Sequence, residues 1–212
     1  MEETLEKTPL RETPAAAALL FLLSLSASKV RADDRFEAVS QRAERLENLG
    51  AFLERYVGSC HDVYARADCE RNVALARQAV RGKKLVARIG EGASELVRAR
   101  ISGGHFRIEL TPFIDGGGLA LTHGAPSRQD DQGRPVIGLV VLQGELPPSV
   151  GDLEFQSPFR TGNVEMEVVF EAEGTWKMKR RDGGFYEGVR ARFLALRLVD
   201  PRTGAEIASR VL

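Results

Sequence analysis

Between Asp33 and Val57 the apolar residues Phe36, Val39, Ala43, Leu46, Leu49, Leu53 and Tyr56 recur at steps of three and four. Arg35, Glu37, Arg42, Glu44, Arg45 and Glu47 fill the positions between them. This spacing predicts one long amphipathic helix with a single buried stripe. Gly50 weakens its interior by about 1 kcal/mol relative to alanine, and Gly58-Ser59 ends it. A second helix is predicted to start at Asp68, a good N-cap, with Glu70 in its first turn. Cys69, Val73, Ala76 and Val80 form its stripe, and Gly82 is its natural stop.

After Lys84 the period falls from 3.6 to 2. Val97, Ala99 and Ile101 alternate with Arg98 and Arg100, Gly103-Gly104 turns the chain, and Phe106, Ile108 and Leu110 alternate with His105, Arg107 and Glu109. That is the pattern of a β-hairpin. Val136–Leu142 is almost wholly apolar, as a strand buried on both faces would be. Val164, Met166, Val168 and Phe170 alternate with glutamates, and Asp182-Gly183-Gly184 marks a further turn. Within Phe185–Val199 the phase changes from Val189, Ala191 and Phe193 to Leu194, Leu196 and Leu198, which calls for a β-bulge near Phe193. The fold expected is α+β: a helical hairpin over residues 33–84 on a mostly antiparallel β-sandwich or barrel over residues 85–212, the two forming one compact unit.

The segment ahead of Asp33 has a different character. Ala15–Ala27 is a run of thirteen small or apolar residues without a charge. A membrane span needs roughly 20, whereas the core of a secretory signal is of this length. Val30 and Ala32 supply the small-x-small cleavage pattern, so residues 1–32 read as a signal peptide and the mature chain starts at Asp33. Glu2, Glu3, Glu6 and Glu12 outnumber Lys7 and Arg11 where a positive region is usual. An uncleaved anchor or a buried helix is the other reading of the segment. Export predicts a periplasmic or secreted protein without a stable membrane span after cleavage. It also predicts that Cys60 and Cys69, the only cysteines, form a structural disulfide.

Composition narrows the function classes. Thirty basic and thirty acidic residues cancel, so no long-range field draws the chain to nucleic acid. None of the common nucleophile-elbow, phosphate-loop, zinc-protease or calcium-loop motifs occurs. The residue types give no reason to expect a cofactor or a metal. Two regions concentrate chemistry. The Gly-, Asp- and Pro-rich segments gather Asp115, His123, Ser127, Asp130 and Asp131, groups that could hold a divalent cation or serve hydrolysis, although surface turns have the same composition. Trp176, Lys177, Lys179, Arg180 and Arg181 form a basic and aromatic patch suited to an anionic glycan or phosphate. The plainer reading is a charged hairpin end paired across the sheet with Glu165, Glu167 and Glu171.

The motifs L-T-P-F (Leu110 to Phe113), L-T-H-G-A-P (Leu121 to Pro126) and D-P-R-T-G (Asp200 to Gly204), with the Cys-x8-Cys helical segment, resemble an uncharacterised family of exported bacterial proteins, a domain of unknown function. The resemblance implies export and a full-length single unit, and it transfers no catalytic residue. The function expected is a non-catalytic binding or structural role in the cell envelope, toward an envelope protein or glycan, with self-association through the long N-terminal helix as a further partner mode. A hydrolase or metal-dependent enzyme using the Asp115–Asp131 loops is the alternative.

Overall fold

The single long helix predicted for residues 33–57 is two helices. In the computed structural model, which describes residues 32–60, 62–90, 97–111, 119–146 and 151–212, α1 (Ala32–Ser40) stops at a turn. A two-residue strand, β1 (Glu44–Arg45), follows, and α2 (Leu49–Val57) starts afresh. Asn48 is the N-cap of α2, its side chain accepting a hydrogen bond from the Ala51 amide at 2.8 Å. The break has a tertiary cause. The amides of Glu44 and Leu46 donate to the carbonyls of Lys84 and Val86 at 2.8 and 2.9 Å, which makes β1 the edge of a sheet. Ahead of that edge, Phe36, Val39 and Ala43 pack on one face of the sheet with Val86, Val169 and Ala195. Beyond it, Phe52, Leu53, Tyr56 and Val57 enter the main core on the other face. The sequence stripe is therefore shared between two faces, and a continuous helix could not reach both. The long helix invoked for self-association does not exist as one element.

The main sheet is six-stranded, in the order β1-β2-β9-β10-β11 with β5 also paired to β10. Its members are β2 (Leu85–Ile89), β5 (Leu119–His123), β9 (Glu165–Lys179), β10 (Phe185–Val199) and β11 (Glu206–Val211). The β1–β2 and β5–β10 pairs are parallel and the others antiparallel. A three-stranded antiparallel sheet joins β3 (Val97–Ser102), β4 (His105–Leu110) and β8 (Val140–Glu145). Together the strands form a curled half-barrel. Its inner face is one core containing Leu85, Ile108, Leu110, Leu142, Phe170 and Leu196. Helix α4 (Asp152–Arg160) lays Phe155 against Phe106, ring centroids 5.0 Å apart. These residues form one compact unit, and both larger sheets contribute to that core.

The bulge expected near Phe193 is present, and β10 shifts register against β9 between Phe193 and Ala195. Phe193 and Leu196 both face the core, while Ala195 joins the outer cluster. The apolar run Val136–Leu142 is a different matter. It is not one buried strand: β7 (Pro135–Val136) pairs with β6 (Arg128–Gln129) in a separate ribbon, and β8 begins only at Val140. Leu139, between them, is exposed.

Helix α3 (Arg66–Val80) begins two residues ahead of the predicted N-cap, which leaves Asp68 in the first turn. It buries no residue. Its attachments to α2 are the Cys60–Cys69 disulfide, with Cα atoms 5.7 Å apart, and Arg77, whose Nε and Nη2 donate to the carbonyls of Tyr56 and Val57 at 2.8 and 3.1 Å. Val73 also fits into the space beside Gly58, where a Cβ would come 2.0 Å from its methyl group. The predicted stripe of Cys69, Val73, Ala76 and Val80 is only half-buried, with Val80 against the main core. A 15-residue helix with so shallow a face is marginal in water, so the covalent link adds to what holds it. Replacing Cys60 and Cys69 together by serine should lower the unfolding free energy by roughly 2–3 kcal/mol. Hydrogen exchange should show α3 amides losing protection while β9 and β10 keep theirs. Unchanged protection in α3 would show that Arg77 and Val73 suffice.

Candidate functional site

The groups predicted to form a loop site are each engaged elsewhere or stand apart. Asp115 lies outside the described residues, as does His61. His123 ends β5, and its Nδ1 accepts a hydrogen bond from the backbone amide of Phe193 at 3.1 Å. Nδ1 therefore carries a lone pair, and in the neutral ring the proton is on Nε2. The ring lies 5.3 Å from that of Phe193. Asp130 organises the β6–β7 turn: its carboxylate accepts from the amides of Gln132 and Arg134 and from Arg134 Nε, at 2.8 to 2.9 Å. These bonds, led by the Arg134 amide, hold its carboxyl below the ordinary carboxylate range. Ser127 and Asp131 are exposed. Among the described residues no three His, Cys, Asp or Glu side chains gather to hold a metal ion.

The basic and aromatic patch is also rearranged. Trp176 is not an exposed stacking platform; it is 8% exposed, and its Nε1 donates to Thr122 Oγ1 at 2.9 Å. Thr122 is itself buried and donates to the carbonyl of Gly124 at 2.6 Å. The Trp176 ring fits because residue 188 is glycine, where a Cβ would meet the ring at 2.8 Å and the Ala120 carbonyl at 2.3 Å. Lys177 pairs with Glu187 and sits over the Phe185 ring at 4.1 Å. Arg180 pairs with Asp182 at 2.8 Å and covers Tyr186. The Arg181 side chain packs over Gly133 of the β6–β7 turn. Lys179 closes the row, and its carbonyl accepts a hydrogen bond from Gln129. Two of the four cations of this hairpin end, Lys177 and Arg180, thus find anions within the hairpin. Glu165, Glu167 and Glu171 are not their partners; they pair instead with Arg88, Arg197 and Arg192 on the neighbouring strands.

The motif residues have structural work. In Asp200-Pro201-Arg202-Thr203-Gly204, the Asp200 carboxylate accepts from the Arg202 amide, Nε and Nη2 at 2.8 to 3.1 Å. Its carbonyl takes the amides of Thr203 and Gly204. This closes the β10–β11 turn. Leu121-Thr122-His123-Gly124 fastens β5 to β10 and to Trp176.

A further set of charged side chains stands on the outer face of the three-stranded sheet, which periodicity alone reads as a plain solvent face. Register sets its side chains in three cross-strand rows: Arg98, Glu109 and Val141; Arg100, Arg107 and Gln143; Ser102, His105 and Glu145. A groove of about 650 Å³ covers the last two rows. Arg107 Nε donates to Glu109 at 3.1 Å, whereas the side chains of Arg98 and Arg100 have no polar partner among the described residues. His105 Nδ1 lies 3.0 Å from the Gly103 carbonyl and its Nε2 3.9 Å from Glu145. The sequence shows the alternation of arginines, but which ones stand opposite one another depends on register.

The chain belongs to a family of unknown function (DUF6066), whose model matches residues 11–210. No curated protein and no solved structure matches the chain.

The Asp200 turn gives a pH test. The Arg202 side chain, first, and then the Arg202 amide hold the Asp200 carboxyl below its ordinary value. A carboxyl depressed in the folded state contributes stability above its unfolded value, near pH 4, and that contribution is lost as pH falls through the folded value. Asp200→Asn should be less stable than the parent at pH 7, and the difference should narrow progressively below about pH 4. Denaturant midpoints at pH 7, 4 and 3 read this directly; a constant difference would refute the assignment.

Proposed function

We propose that this protein is exported and acts in the periplasm or cell envelope as a non-catalytic binding protein for an envelope component. The observation that carries the reading is the Cys60–Cys69 disulfide at the start of α3. A helix that buries no residue is tied down by a disulfide, and such bonds persist in oxidising compartments. The thirteen-residue apolar run ending at Ala27 and the Val30-Arg31-Ala32 cleavage pattern support the same address. A cut after Ala32 would leave Asp33 as the first residue of the mature chain, at the very start of α1.

The non-catalytic half rests on what the polar groups are engaged in. General acid–base chemistry needs a group within hydrogen-bond reach of a reacting atom and not already committed. His123 Nδ1 is occupied by a backbone amide, Asp130 by its turn and Thr122 by Trp176. By contrast, the arginine rows on the outer face of the three-stranded sheet offer donors without chemistry, which suits recognition. The test is fractionation of the source cell followed by N-terminal sequencing. The protein should appear in the envelope or periplasmic fraction, beginning at Asp33 and containing no reactive thiol. Recovery from the cytosol with residues 1–32 intact and both thiols free would overturn the reading.

A further inference from the structure

We infer that the groove over β3, β4 and β8 binds a small soluble ligand through a phosphate monoester, gripped between Arg100 and Arg107. The inference deepens the binding reading and rests on it only in supposing that a ligand exists. Arg100 and Arg107 are directly opposed across the β3–β4 ladder. Residues so opposed have Cβ atoms about 5 Å apart, and like charges there are destabilising. Strands commonly avoid this by alternating sign, as the neighbouring Arg98–Glu109 pair does. Arg107 engages Glu109 through Nε alone, and the Arg100 side chain has no polar partner among the described residues. Both side chains therefore leave the sheet on the same face, and apart from the Arg107–Glu109 ion pair their donors have no polar partner among the described residues.

Charge and size together choose the occupant. A phosphate monoester carries about −1.5 to −2 at neutral pH, and its three oxygens accept forked donors from arginine, so one group can engage Arg100 and the donors of Arg107 that Glu109 leaves free. A carboxylate has two oxygens, enough for one fork only. Gln143 extends the same row and adds an amide donor, while Ser102, His105 and the carboxylate of Glu145 edge the groove beyond it, with Glu145 next to His105. The volume, about 650 Å³, is that of a small-molecule site. It spans two cross-strand rows rather than a broad plane, which favours a discrete ligand over a membrane surface. The floor is rigid: on the opposite face the Phe106 ring stacks on Phe155 and lies where a Cβ on Gly144 would come within 2.9 Å.

Titration calorimetry of the purified chain with inorganic phosphate, against chloride at equal ionic strength, provides the test. Phosphate should bind, acetate should bind at least tenfold more weakly, and amide NMR shifts should concentrate in residues 98–107 and 143–145. Arg100→Gln and Arg107→Gln should each weaken phosphate at least tenfold. Arg100→Lys, which keeps the charge but loses the fork, should weaken it measurably. Arg100→Gln relieves a like-charge contact and breaks no ion pair, so its melting temperature in chloride should not fall, whereas Arg107→Gln also gives up the Glu109 pair and should lose at most a few degrees. Equal heats in phosphate and chloride, or wild-type affinity in both glutamine variants, would overturn the site. So would shifts centred on Lys179 and Arg181, or binding to phosphatidylglycerol vesicles without binding to phosphate. Because these measurements use isolated protein, they stand or fall separately from the cellular fraction in which the chain is found.

Discussion

Strand β10 has one continuous partner along one edge and two successive partners along the other. β9 follows it from Phe185 to Val199. On the second edge, β5 pairs in parallel with Glu187–Ala191 and β11 pairs antiparallel with Ala195–Val199. Between those two partners a stretch of β10 has no strand beside it, and an unpaired backbone amide in that position is costly. The chain meets this with a side chain: His123, the last residue of β5, reaches across to the amide of Phe193. The bulge lies at the same place, so the strand changes phase where it changes partner. Gly188, Thr122 and Trp176 then fix β5 in its parallel register, because the ring of Trp176 occupies the side-chain space that Gly188 leaves open.

A long, twisted six-stranded sheet of this kind has two apolar faces to cover, and one segment of chain serves both. Helix α1 covers the outer face, where Phe36 lies under the guanidinium of Arg197 at 4.4 Å and Glu37 pairs with Arg197 at 2.7 Å. The chain turns the edge as β1, and α2 covers the inner face. Arg197 also pairs with Glu167, so the charged ladder on the outer face and the helix above it share one cation. Helix α3 then lies outside both layers. The disulfide attaches it to α2 rather than stabilising the sheet, which separates the source of the fold's stability from the feature that needs oxidation.

Much of this architecture is legible in the sequence, because period 2 and period 3.6 report burial on one face. The β3–β4 hairpin, the alternation in β9 and the phase change in β10 follow from residue type alone. The errors have a common cause. The stripe from Phe36 to Tyr56 has helical spacing throughout, yet pairing of Glu44 and Arg45 with β2 outweighs local propensity. The run Val136–Leu142 is apolar throughout, yet Val136 is drawn into a ribbon with Arg128. Periodicity describes what a segment can bury; it does not say which other segment will claim its backbone.

The same limit applies with more force to the site. Trp176 beside four cations looks like a binding patch until burial places the ring inside and Glu187 and Asp182 beside Lys177 and Arg180. His123 among aspartates looks like a catalytic loop until Phe193 is found on its ring nitrogen. In both cases the sequence shows the right functional groups, and the fold spends their bonding capacity internally. Arg100 and Arg107 are the reverse case. Singly they read as the polar half of an alternating pattern, and only the β3–β4 register sets Arg100 opposite Arg107, two like charges of which Glu109 pairs with one. A sheet that holds two like charges opposite each other is less stable than the same sheet with either one neutral. An anion bridging the two would offset that cost, and this is the physical premise of the phosphate site proposed for this face.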